Sequence, residues 1–561
     1  MSVPKLPEPP VRRILPNRAY NDRLNAYNKL KEIHGKLEEL DGQIIGLQRK
    51  LTRPNPTDCR PRQPDKDGRR IAVCPYCLRE FPIERMAFRA LFREDARGNV
   101  LGFDREEDEA YRDYWAGMNL TVESLRPHIL NMDPASGEVK TITFQTLQGV
   151  TDTVPYDAAA RDRMNRDIVR CVADKYGLES ALRICPYCHT GLPNDICYCD
   201  NYIYSMMGNT SCGKTVYLLR LILTMQGGRF MDGACFVSVN NNDMLAELAP
   251  DMFPSGGRPS LYEVAKKTFQ QTGVAMSDAT DIKYIPPVIL SVRPRNASPY
   301  MVTLFDYPGE AISRDADDLG FFAGVADNVR RNSSGLIFLF DAGVTLRPHL
   351  AEEYQVGKEG DATDRSPSQV LADIYETSFD RNDVPANVPV AMVITKSDLI
   401  GAAQSALKGI WPGESPDFLN PASPHSRPDL CSMYRTDTDV RTFLQNQDPN
   451  VLTIADSITH GNCAWFAVSS TGIPLKYGMI PEGAGLGGTR ECDPIEWLLY
   501  RNGLLSAVRS GDDDKDLLKK VGRWAAGFQV QDYGNLTQME EEWRSSLLPE
   551  YKKALKDYTG T

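Results

Sequence analysis

The amino-acid sequence predicts an α/β protein whose central part is a mostly parallel sheet. The octapeptide "GNTSCGKT", from Gly208 to Thr215, stands between a hydrophobic run, "NYIYSMM", and a helical one, "VYLLRLILTM". Further hydrophobic runs follow, and short polar motifs stand at their C-terminal ends. Strand, loop and helix in succession imply parallel strands, whose ligands bind beyond the carboxyl ends. Two copies of "CPYC" precede this part and predict a separate metal-binding module.

The length of the chain, 561 residues, exceeds what one hydrophobic core supports and predicts about three units. We find no signal peptide and no run of about 18 apolar residues that could span a membrane. The 13 cysteines, an odd number, then favour thiols and metal ligands over a disulfide framework. We therefore expect a cytoplasmic protein in a reducing compartment.

Charge is distributed unevenly along the chain. Residues 1–70 hold sixteen Lys/Arg and nine Asp/Glu, a net charge of +7, which leaves −18 for the remainder because the total is −11. The basic arm can meet a nucleic acid, an acidic membrane or an acidic protein, and an ordinary solvated surface has the same composition. The acidic body repels phosphate backbones, so nucleic-acid binding stays an open alternative for the arm.

The N-terminal region is expected to begin with a flexible, Pro-rich lead over 1–17 and to continue as a helical or coiled-coil segment with its linker over 18–70. Gly35, Gly42 and Gly46 each cost about 1 kcal/mol of helix stability relative to Ala. The helix therefore needs a partner surface, from this chain or from another. Its apolar stripe, spaced 4-3-4-3-4, consists of Ile33, Leu37, Leu40, Ile44, Leu47 and Leu51.

The two "CPYC" tetrapeptides predict a split zinc-ribbon module with an inserted domain over 71–199. Each copy follows a short apolar lead and precedes a polar turn, and two such knuckles can place four thiolates tetrahedrally around one Zn²⁺. The span of about 107 residues between them is too long for a compact ribbon, so the insertion is inferred. The predicted zinc ligands are Cys74, Cys77, Cys185 and Cys188.

Other uses of these cysteines stay open. Cys-Pro-Tyr-Cys is also a glutaredoxin-type redox sequence, which requires one copy at a strand-to-helix junction. Two copies with ribbon-like flanks favour zinc over redox chemistry, and unbound or otherwise paired thiols are the third possibility. Cys197 and Cys199 lie close by, but Cys-x-Cys is an uncommon ligand spacing, and two buried thiols are the simpler interpretation.

The pattern G-x-x-x-x-G-K-[ST] predicts a phosphate-binding loop between a strand and a helix. Its glycines, Gly208 and Gly213, let backbone N–H groups converge on a phosphate, Lys214 supplies a point charge, and the Thr215 hydroxyl can ligate Mg²⁺. Asn209, Ser211 and Cys212 complete the predicted nucleotide contacts of the loop.

Downstream, the runs "VILSV" and "MVTLF" predict two strands joined by a turn, and the second ends in "DYPGE". Asp306 at the end of a buried strand can hold the Mg²⁺ shell. The backbone N–H of the flexible Gly309 can meet a γ-phosphate. This motif therefore predicts the metal and γ-phosphate side of the site.

Two later strands predict the base-binding side. "VPVAMVITKSD" follows the strand candidate "GLIFLFDAG" and ends at Thr395, Lys396, Ser397 and Asp398. The Asp398 carboxylate can accept hydrogen bonds from N1–H and N2–H₂ of guanine, which adenine lacks, while the Lys396 stem covers the purine face. After the last strand candidate, "NCAWFAVSS", Ser469 and Ser470 can offer a backbone amide to the guanine O6.

Together, "GNTSCGKT", "DYPGE", "TKSD" and "AVSS" resemble the P-loop GTPases of the Ras-like and dynamin-like superclass, over about 200–505. The Cys-x-x-Cys pairs before the loop and the ending "DPIEWLLYRNGLL" are similar to bacterial double-GTPase families of predicted conflict or defence systems. The resemblance implies GTP/GDP and Mg²⁺ as ligands, and a protein partner such as a second GTPase. A C-terminal helical segment is predicted for 506–561.

The sequence departs from the family pattern in three places. Thr395 replaces the more usual Asn and removes one amide contact, and the long gap before Asp306 leaves Thr280 as the candidate switch threonine. Glu310 stands where many Ras-like GTPases carry the Gln that orients water, and its charge near the γ-phosphate is a cost as well as an aid. Arg314 is either a cis arginine finger or an ordinary surface side chain.

Three function classes are consistent with these observations. The leading hypothesis is a GTP-hydrolysing switch or assembly factor, slow without a partner, whose nucleotide state controls docking through the zinc module and N-terminal helix. The second is an interaction scaffold that binds GTP with little turnover. The third is a nucleic-acid-binding protein that uses the zinc module and the basic arm.

Overall fold

The structure is a computed structural model of the chain. It describes residues 4–10, 17–51, 71–83, 86–91, 105–118, 120–130, 142–145, 151–154, 171–173, 179–209, 211–228, 230–253, 260–271, 286–295, 297–306, 333–355, 365–378, 388–411, 416–421, 427–482, 486–507, 515–527, 539 and 541–559.

The described strands and helices are numbered in chain order. The strands are β1 (Ile71–Val73), β2 (Glu80–Pro82), β3 (Ala87–Phe88), β4 (Arg105–Glu107), β5 (Leu125–Pro127), β6 (Ile142–Gln145), β7 (Thr151–Val154), β8 (Val172–Ala173), β9 (Glu179–Ser180), β10 (Arg183–Ile184), β11 (Asn201–Gly208), β12 (Cys235–Val239), β13 (Val288–Pro294), β14 (Tyr300–Asp306), β15 (Gly335–Asp341), β16 (Val390–Thr395) and β17 (Cys463–Ala467). The α-helices are α1 (Asn17–Leu51), α2 (Glu109–Gly117), α3 (Lys214–Gln226), α4 (Asn242–Leu248), α5 (Leu261–Gln270), α6 (Ala342–Leu346), α7 (Pro367–Ser378), α8 (Asp398–Ala402), α9 (Leu430–Gln447), α10 (Pro449–Ile458), α11 (Asp493–Arg501), α12 (Lys515–Gly527) and α13 (Leu548–Thr559).

The chain forms two compact units. The smaller consists of Met1–Pro54, Arg427–Tyr434 and Leu499–Thr561, and the larger of Asn55–Ser426 and Arg435–Leu498. The finer division expected from the sequence, with boundaries near 17, 70, 199 and 505, stays a prediction. Among the described residues, no helix combines the length and the apolar character needed to cross a membrane.

In the smaller unit, the apolar stripe of α1 is buried by the C-terminal part of the same chain. The Gly-containing helix thus has an internal partner, and its packing stabilises what helix propensity alone would not. The side chains of Leu47 and Leu51 lie outside the described residues. The shared apolar cluster contains Leu30, Ile33, Leu37, Leu40 and Ile44 of α1 together with Trp543, Tyr551 and Ala554.

Residues 4–10 belong to the lead that the composition predicts to be flexible. They are bonded to α1 and to α13, the C-terminal helix that packs on it. The Tyr551 hydroxyl donates to the Lys5 carbonyl at 3.0 Å, and the Tyr558 hydroxyl donates to the Glu8 carbonyl at 2.7 Å. His34 Nε2 lies 2.9 Å from the Pro4 carbonyl oxygen. These contacts hold the described part of the lead against α1 and α13.

The larger unit is built around a seven-stranded sheet in the order β12-β13-β14-β11-β15-β16-β17. The pairs β11–β14, β11–β15, β15–β16 and β16–β17 are parallel, which confirms the predicted mostly parallel α/β sheet. The strands expected from "NYIYSMM", "VILSV", "MVTLF", "GLIFLF", "VPVAMVIT" and "NCAWFAV" correspond to β11 and β13–β17. Their near-continuous burial is typical of strands covered on both faces.

Two strands at one side of this sheet differ from the parallel pattern. β13 pairs antiparallel with β14 because only residues 295–299 connect them, too few for a parallel crossover. β12, which no sequence pattern identified, pairs antiparallel with β13 and is the edge strand. Its burial alternates, since Phe236 faces solvent while its neighbours in the strand face inward.

The cysteine-containing part of the larger unit is made of short two-stranded sheets and α2. β1 pairs with β2 next to the first knuckle, and β10 pairs with β3 just before the second. The helix α2 lies between the two knuckles in sequence and is capped by Asp108, whose side chain accepts from the Tyr111 backbone N–H. The span between the two knuckles thus contains α2 and several short strands among the described residues, and the inserted domain itself stays a prediction.

Candidate functional site

The carboxyl ends of four neighbouring strands bring the predicted motifs to one edge of the sheet. In the sheet register, Met206 of β11 lies opposite Asp306 of β14, while Gly208 lies opposite Leu339 of β15. Asp341 at the end of β15 lies opposite Thr395 at the end of β16. Because parallel strands end together, the segments that follow β11, β14, β15 and β16 all begin at this edge.

The loop after β11 turns back so tightly that its glycines are required. A Cβ on Gly208 would lie 2.6 Å from the Leu339 carbonyl oxygen and 2.8 Å from Cys212 Sγ. Gly213, with φ of +88°, occupies the left-handed region immediately before α3 begins at Lys214. Ser211 also has positive φ, at +66°. Turns of this kind direct successive backbone N–H groups into a concavity that suits an anion.

Lys214 and Thr215 occupy the first turn of α3, where the helix dipole is positive. Lys214 Nζ lies across the loop and donates to the carbonyl oxygens of Gly208 at 2.7 Å and Asn209 at 3.0 Å. The Thr215 side chain is half-buried beside it. An ammonium group and a helix N-terminus at one point favour a phosphate.

Asp306 is buried at the end of β14, and Lys214 is close enough to interact with it electrostatically. Burial raises the pKa of the Asp306 carboxyl to about 6, and the Lys214 charge acts against this rise. Its Oδ1 atom is buried without a hydrogen-bond partner in the described part of the chain. A buried carboxylate oxygen with unused acceptor capacity suits a hard cation or its water, as Mg²⁺ chemistry requires.

Four of the predicted residues lie outside the described part of the chain. They are Gly309, Glu310 and Arg314, which follow Asp306, and Thr280, which precedes β13. Their assignments remain predictions from the sequence.

The TKSD motif is bonded directly to the backbone of the glycine-rich loop after β11. The Thr395 hydroxyl lies 2.7 Å from the Cys212 carbonyl oxygen and 3.0 Å from that of Phe340. Lys396, with φ of +55°, donates from Nζ to the Ser211 carbonyl at 3.3 Å. The shorter Thr395 side chain, expected to loosen the site in place of Asn, thus still reaches the loop.

Asp341 is a member of this site that no sequence motif assigned. Its Oδ2 lies 2.5 Å from Lys396 Nζ, and its Oδ1 accepts from the Gly343 N–H at 2.7 Å at the start of α6. The carboxylate therefore fixes the direction of the Lys396 stem. Its position at the C-terminal end of "GLIFLF", equivalent to that of the other motifs, is the signal that could have identified it.

Asp398 and Ser469, which the sequence predicts to contact the base, are bonded to each other. The Ser469 hydroxyl donates to Asp398 Oδ1 and accepts from the Gly472 backbone N–H at 2.8 Å. Burial raises the pKa of Asp398 to about 6, while the Ser469 hydrogen bond and the Lys396 charge act to lower it. The Ser397 N–H donates to the Val468 carbonyl at 3.1 Å, so the loops after β16 and β17 are joined. Ser470 follows in the second of these loops.

A second candidate site, a metal centre, lies in the cysteine module. Cys74, Cys77, Cys185 and Cys188 are buried, and their sulfur atoms all lie within 4.8 Å of one another. The Cys74–Cys188 and Cys77–Cys185 sulfur distances are 3.8 and 3.7 Å. Tetrahedral Zn²⁺ with Zn–S bonds of about 2.3 Å places its sulfur ligands about 3.8 Å apart. These spacings fit a four-thiolate zinc site and are far too long for disulfides.

The two knuckles have the same backbone geometry. Tyr76 and Tyr187 each direct a backbone N–H at the first cysteine sulfur of their own knuckle, both at 3.4 Å. Leu78 and His189, directly after the second cysteines, both adopt positive φ, at 58° and 50°. Each then donates its backbone N–H to the carbonyl of the first cysteine, at 3.0 and 3.1 Å. Neither tetrapeptide leads into a helix, which the redox alternative required.

The other cysteines near the module do not join this group. Cys197 and Cys199 are buried, and Cys197 Sγ contacts the Met86 sulfur at 3.7 Å. Within the described residues, the cluster of potential metal ligands contains only the four knuckle cysteines.

Comparison with known proteins adds a set of distant structural similarities. No protein-family model matches the chain, and no curated protein matches it. The GTP-bound Ski7 GTPase-like domain of S. cerevisiae is 14% identical over 54% of this chain and 50% of its own, with a TM-score of 0.23. The same domain bound to GDP and inorganic phosphate is 13% identical with the same coverages and a TM-score of 0.24. This chain thus spans half the length of the Ski7 structures.

The signal recognition particle receptor SRb-GTP/SRX complex from Chaetomium thermophilum is also similar. It is 14% identical over 54% of this chain and 98% of that chain, with a TM-score of 0.22. TM-scores of this size are too low to carry a functional assignment, and the function is therefore inferred from the geometry of the site.

Proposed function

We propose that the chain is a GTP-binding and GTP-hydrolysing switch whose nucleotide lies along the carboxyl edge of the sheet. The observation that supports the proposal is the direct bonding of the TKSD motif to the glycine-rich loop, through Thr395 to Cys212 and through Lys396 to Ser211. A phosphate-binding loop and a base-binding loop that share hydrogen bonds can hold the two ends of one nucleotide in a fixed relation.

The proposed phosphate side consists of the loop amides, Lys214 and the N-terminus of α3. These groups bind and orient the phosphates and neutralise part of their charge. Thr215 and Asp306 would hold Mg²⁺, which when bound offsets charge that develops on the phosphate oxygens. Glu310 is proposed to orient the attacking water, with Thr280 and Arg314 as further candidates for contacts to the reacting phosphate.

The proposed base specificity comes from Asp398. As a carboxylate it accepts two hydrogen bonds from the guanine edge and none of equal quality from adenine. The Ser469 hydroxyl holds one carboxylate oxygen, and the Ser470 amide is proposed to donate to O6. Because the Asp398 pKa is about 6, the acceptor form dominates at neutral pH.

Zinc bound by Cys74, Cys77, Cys185 and Cys188 is proposed as a structural ion, because the four thiols are buried and provide a closed ligand set. Asn241, just after β12, links the module to the sheet: it donates to the Tyr76 hydroxyl at 3.3 Å, and its Oδ1 accepts from the Ile289 N–H of β13 at 3.0 Å. The module is therefore a candidate surface through which nucleotide state controls a protein partner. In this proposal the partner is a second GTPase, in a multi-component bacterial defence system.

Equilibrium binding tests the core of the proposal. Competition of GDP and ADP against a fluorescent GDP analogue, with Mg²⁺, should show a strong preference for GDP. Equal affinities would exclude guanine-specific binding. The rate of single-turnover GTP hydrolysis separates a switch from a low-turnover scaffold. It is measured with and without the proteins that the GTP-analogue form of this chain retains, and a switch should be stimulated by them. If the protein does not bind RNA or DNA, or binds them with an affinity that does not depend on salt concentration, the nucleic-acid alternative is excluded.

A further inference from the structure

One face of α3 connects the phosphate end of the candidate site to the base end. The helix begins at Lys214, and Tyr217, Arg220 and Thr224 follow at spacings of three and four, so they lie on the same side. Tyr217 and Arg220 are buried, and Thr224 is half-buried. The polar groups on this face must therefore find partners within the protein.

Arg220 finds its partners on two backbone segments. One is the loop after β17 that contains Ser469 and Ser470, called here the base loop, and the other is the segment that covers this loop. Arg220 Nε donates to the Ser470 carbonyl at 2.6 Å, and its Nη2 donates to the Leu486 carbonyl at 3.2 Å. The guanidinium lies 3.6 Å from the ring centroid of Phe269 in α5. The planar group is thus stacked on one face and directs two donors at main-chain oxygens, a geometry that an ammonium group cannot reproduce.

The other two residues of this face hold the same covering segment, which comprises residues 486–491. The Tyr217 hydroxyl donates to the Glu491 carbonyl at 3.0 Å, and the Thr224 hydroxyl donates to Glu491 Oε1 at 2.7 Å. The segment is therefore attached to α3 at both of its ends, through Arg220 and through Glu491.

The covering segment is in turn paired with the base loop. Ser469 and Thr489 exchange backbone hydrogen bonds of 3.0 and 2.8 Å, and the Gly487 N–H donates to the Thr471 carbonyl at 3.1 Å. Gly472 has φ of +74°, and a Cβ there would overlap the Gly487 carbonyl oxygen. At this point no side chain fits between the two backbone segments. The covering segment therefore limits the positions that the base loop can take.

We infer that Arg220 is a positioning residue for nucleotide-base recognition: it fixes the Ser469–Ser470 loop on the helix that carries Lys214. The inference rests on the proposed function, because it assumes that this loop meets a guanine. Arg220 is assigned no nucleotide contact, because it is buried and its guanidinium is used on main-chain oxygens and the Phe269 ring. It acts through Ser470, whose carbonyl it binds, and through Ser469, whose hydroxyl orients Asp398.

The test compares GDP and ADP affinities by competition against a fluorescent GDP analogue in the full-length protein. The variant Arg220→Met removes both donors and keeps an apolar stem beside Phe269. The variant Arg220→Lys keeps a positive charge and one bond at most, and it is the variant more certain to fold. Arg89→Met is the matched control, because Arg89 is similarly buried but donates to Asp108 and Pro127 in the cysteine module.

We expect Arg220→Met to weaken GDP about tenfold while ADP changes by less than about threefold, since about one aligned hydrogen bond to the base is lost. Arg220→Lys should change the ratio of GDP affinity to ADP affinity in the same direction but by less. Arg89→Met should leave this ratio unchanged, even if the variant protein is less stable. Equal weakening of GDP and ADP by both Arg220 variants, or no weakening, would show that Arg220 only stabilises the domain. A wild-type protein without preference for GDP would instead overturn the proposed function on which the inference rests.

Discussion

Replacement of Asp306 by Asn should stabilise the end of β14 at neutral pH, even though it removes a proposed metal ligand. Burial raises the pKa of Asp306 from 3.8 to about 6, so ionisation of this carboxyl is opposed by about 2 pKa units, or about 3 kcal/mol at 1.36 kcal/mol per unit. Folding raises the pKa of Asp306, so the protonated carboxyl stabilises the folded state. This stabilisation is fully present below about pH 4 and is lost as the pH rises through about 6. Asn does not titrate and avoids the loss.

Hydrogen-exchange mass spectrometry of peptides that cover β14 measures the effect locally, in a chain whose two units need not unfold together. Without Mg²⁺ and nucleotide, Asp306→Asn should slow exchange by about 30- to 100-fold at pH 7.5 and by little at pH 4. With Mg²⁺·GDP, the wild-type protein should gain protection that the variant lacks.

Asp341→Asn, at the end of β15, which is separated from β14 by β11, is the matched control. Asp341 is ion-paired with Lys396, so its neutralisation should not slow exchange. An Asp306→Asn effect of equal size at both pH values, or faster exchange at pH 7.5, would refute the argument that ionisation of a buried carboxylate destabilises this strand end.

Three further changes test the nucleotide and zinc assignments. Asp398→Asn should shift preference from guanine to xanthine nucleotides, whose C2 oxygen needs a donor; unchanged GDP preference in competition assays would contradict the base assignment. Cys185→Ser should lower the zinc content from one ion per chain, measured by metal analysis, and should lower the thermal stability of the larger unit; full occupancy would exclude the four-cysteine site. Lys214→Ala should weaken binding and abolish turnover together, whereas Glu310→Ala should keep GTP affinity within a few-fold and slow stimulated hydrolysis by a factor on the order of 10–10⁴. Unchanged hydrolysis in the second variant would assign water positioning to another group.

Much of the site's layout can be predicted from local sequence patterns. Hydrophobic runs of five to eight residues predict β11 and β13–β17, and the sequence places each polar motif at the C-terminal end of its strand. The paired Cys-x-x-Cys tetrapeptides predict the four-cysteine group, even with about a hundred residues between them. Such patterns are readable because strand burial and knuckle turns depend on residues close together in the sequence.

Other parts of the site depend on residues far apart in the chain. Asp341 and Arg220 carry no motif, and their partners, Lys396 and Ser470, lie 55 and 250 positions away. The Thr395 hydroxyl reaches the loop backbone at Cys212, which a rule based on Asn in that position did not anticipate.

The sequence by itself determined that β11 and β13–β17 are strands, which cysteines could share a metal, and which side chains have the chemistry to bind a phosphate or a guanine. Only the tertiary structure decided that the α1 stripe packs on the C-terminal helices of the same chain, that β12 and β13 run antiparallel, and that α3 holds the base loop through Arg220. The physical reason is that strand formation and ligand type are properties of local side chains. The choice of partner depends instead on which distant surfaces and backbone groups satisfy one another when the whole chain is packed.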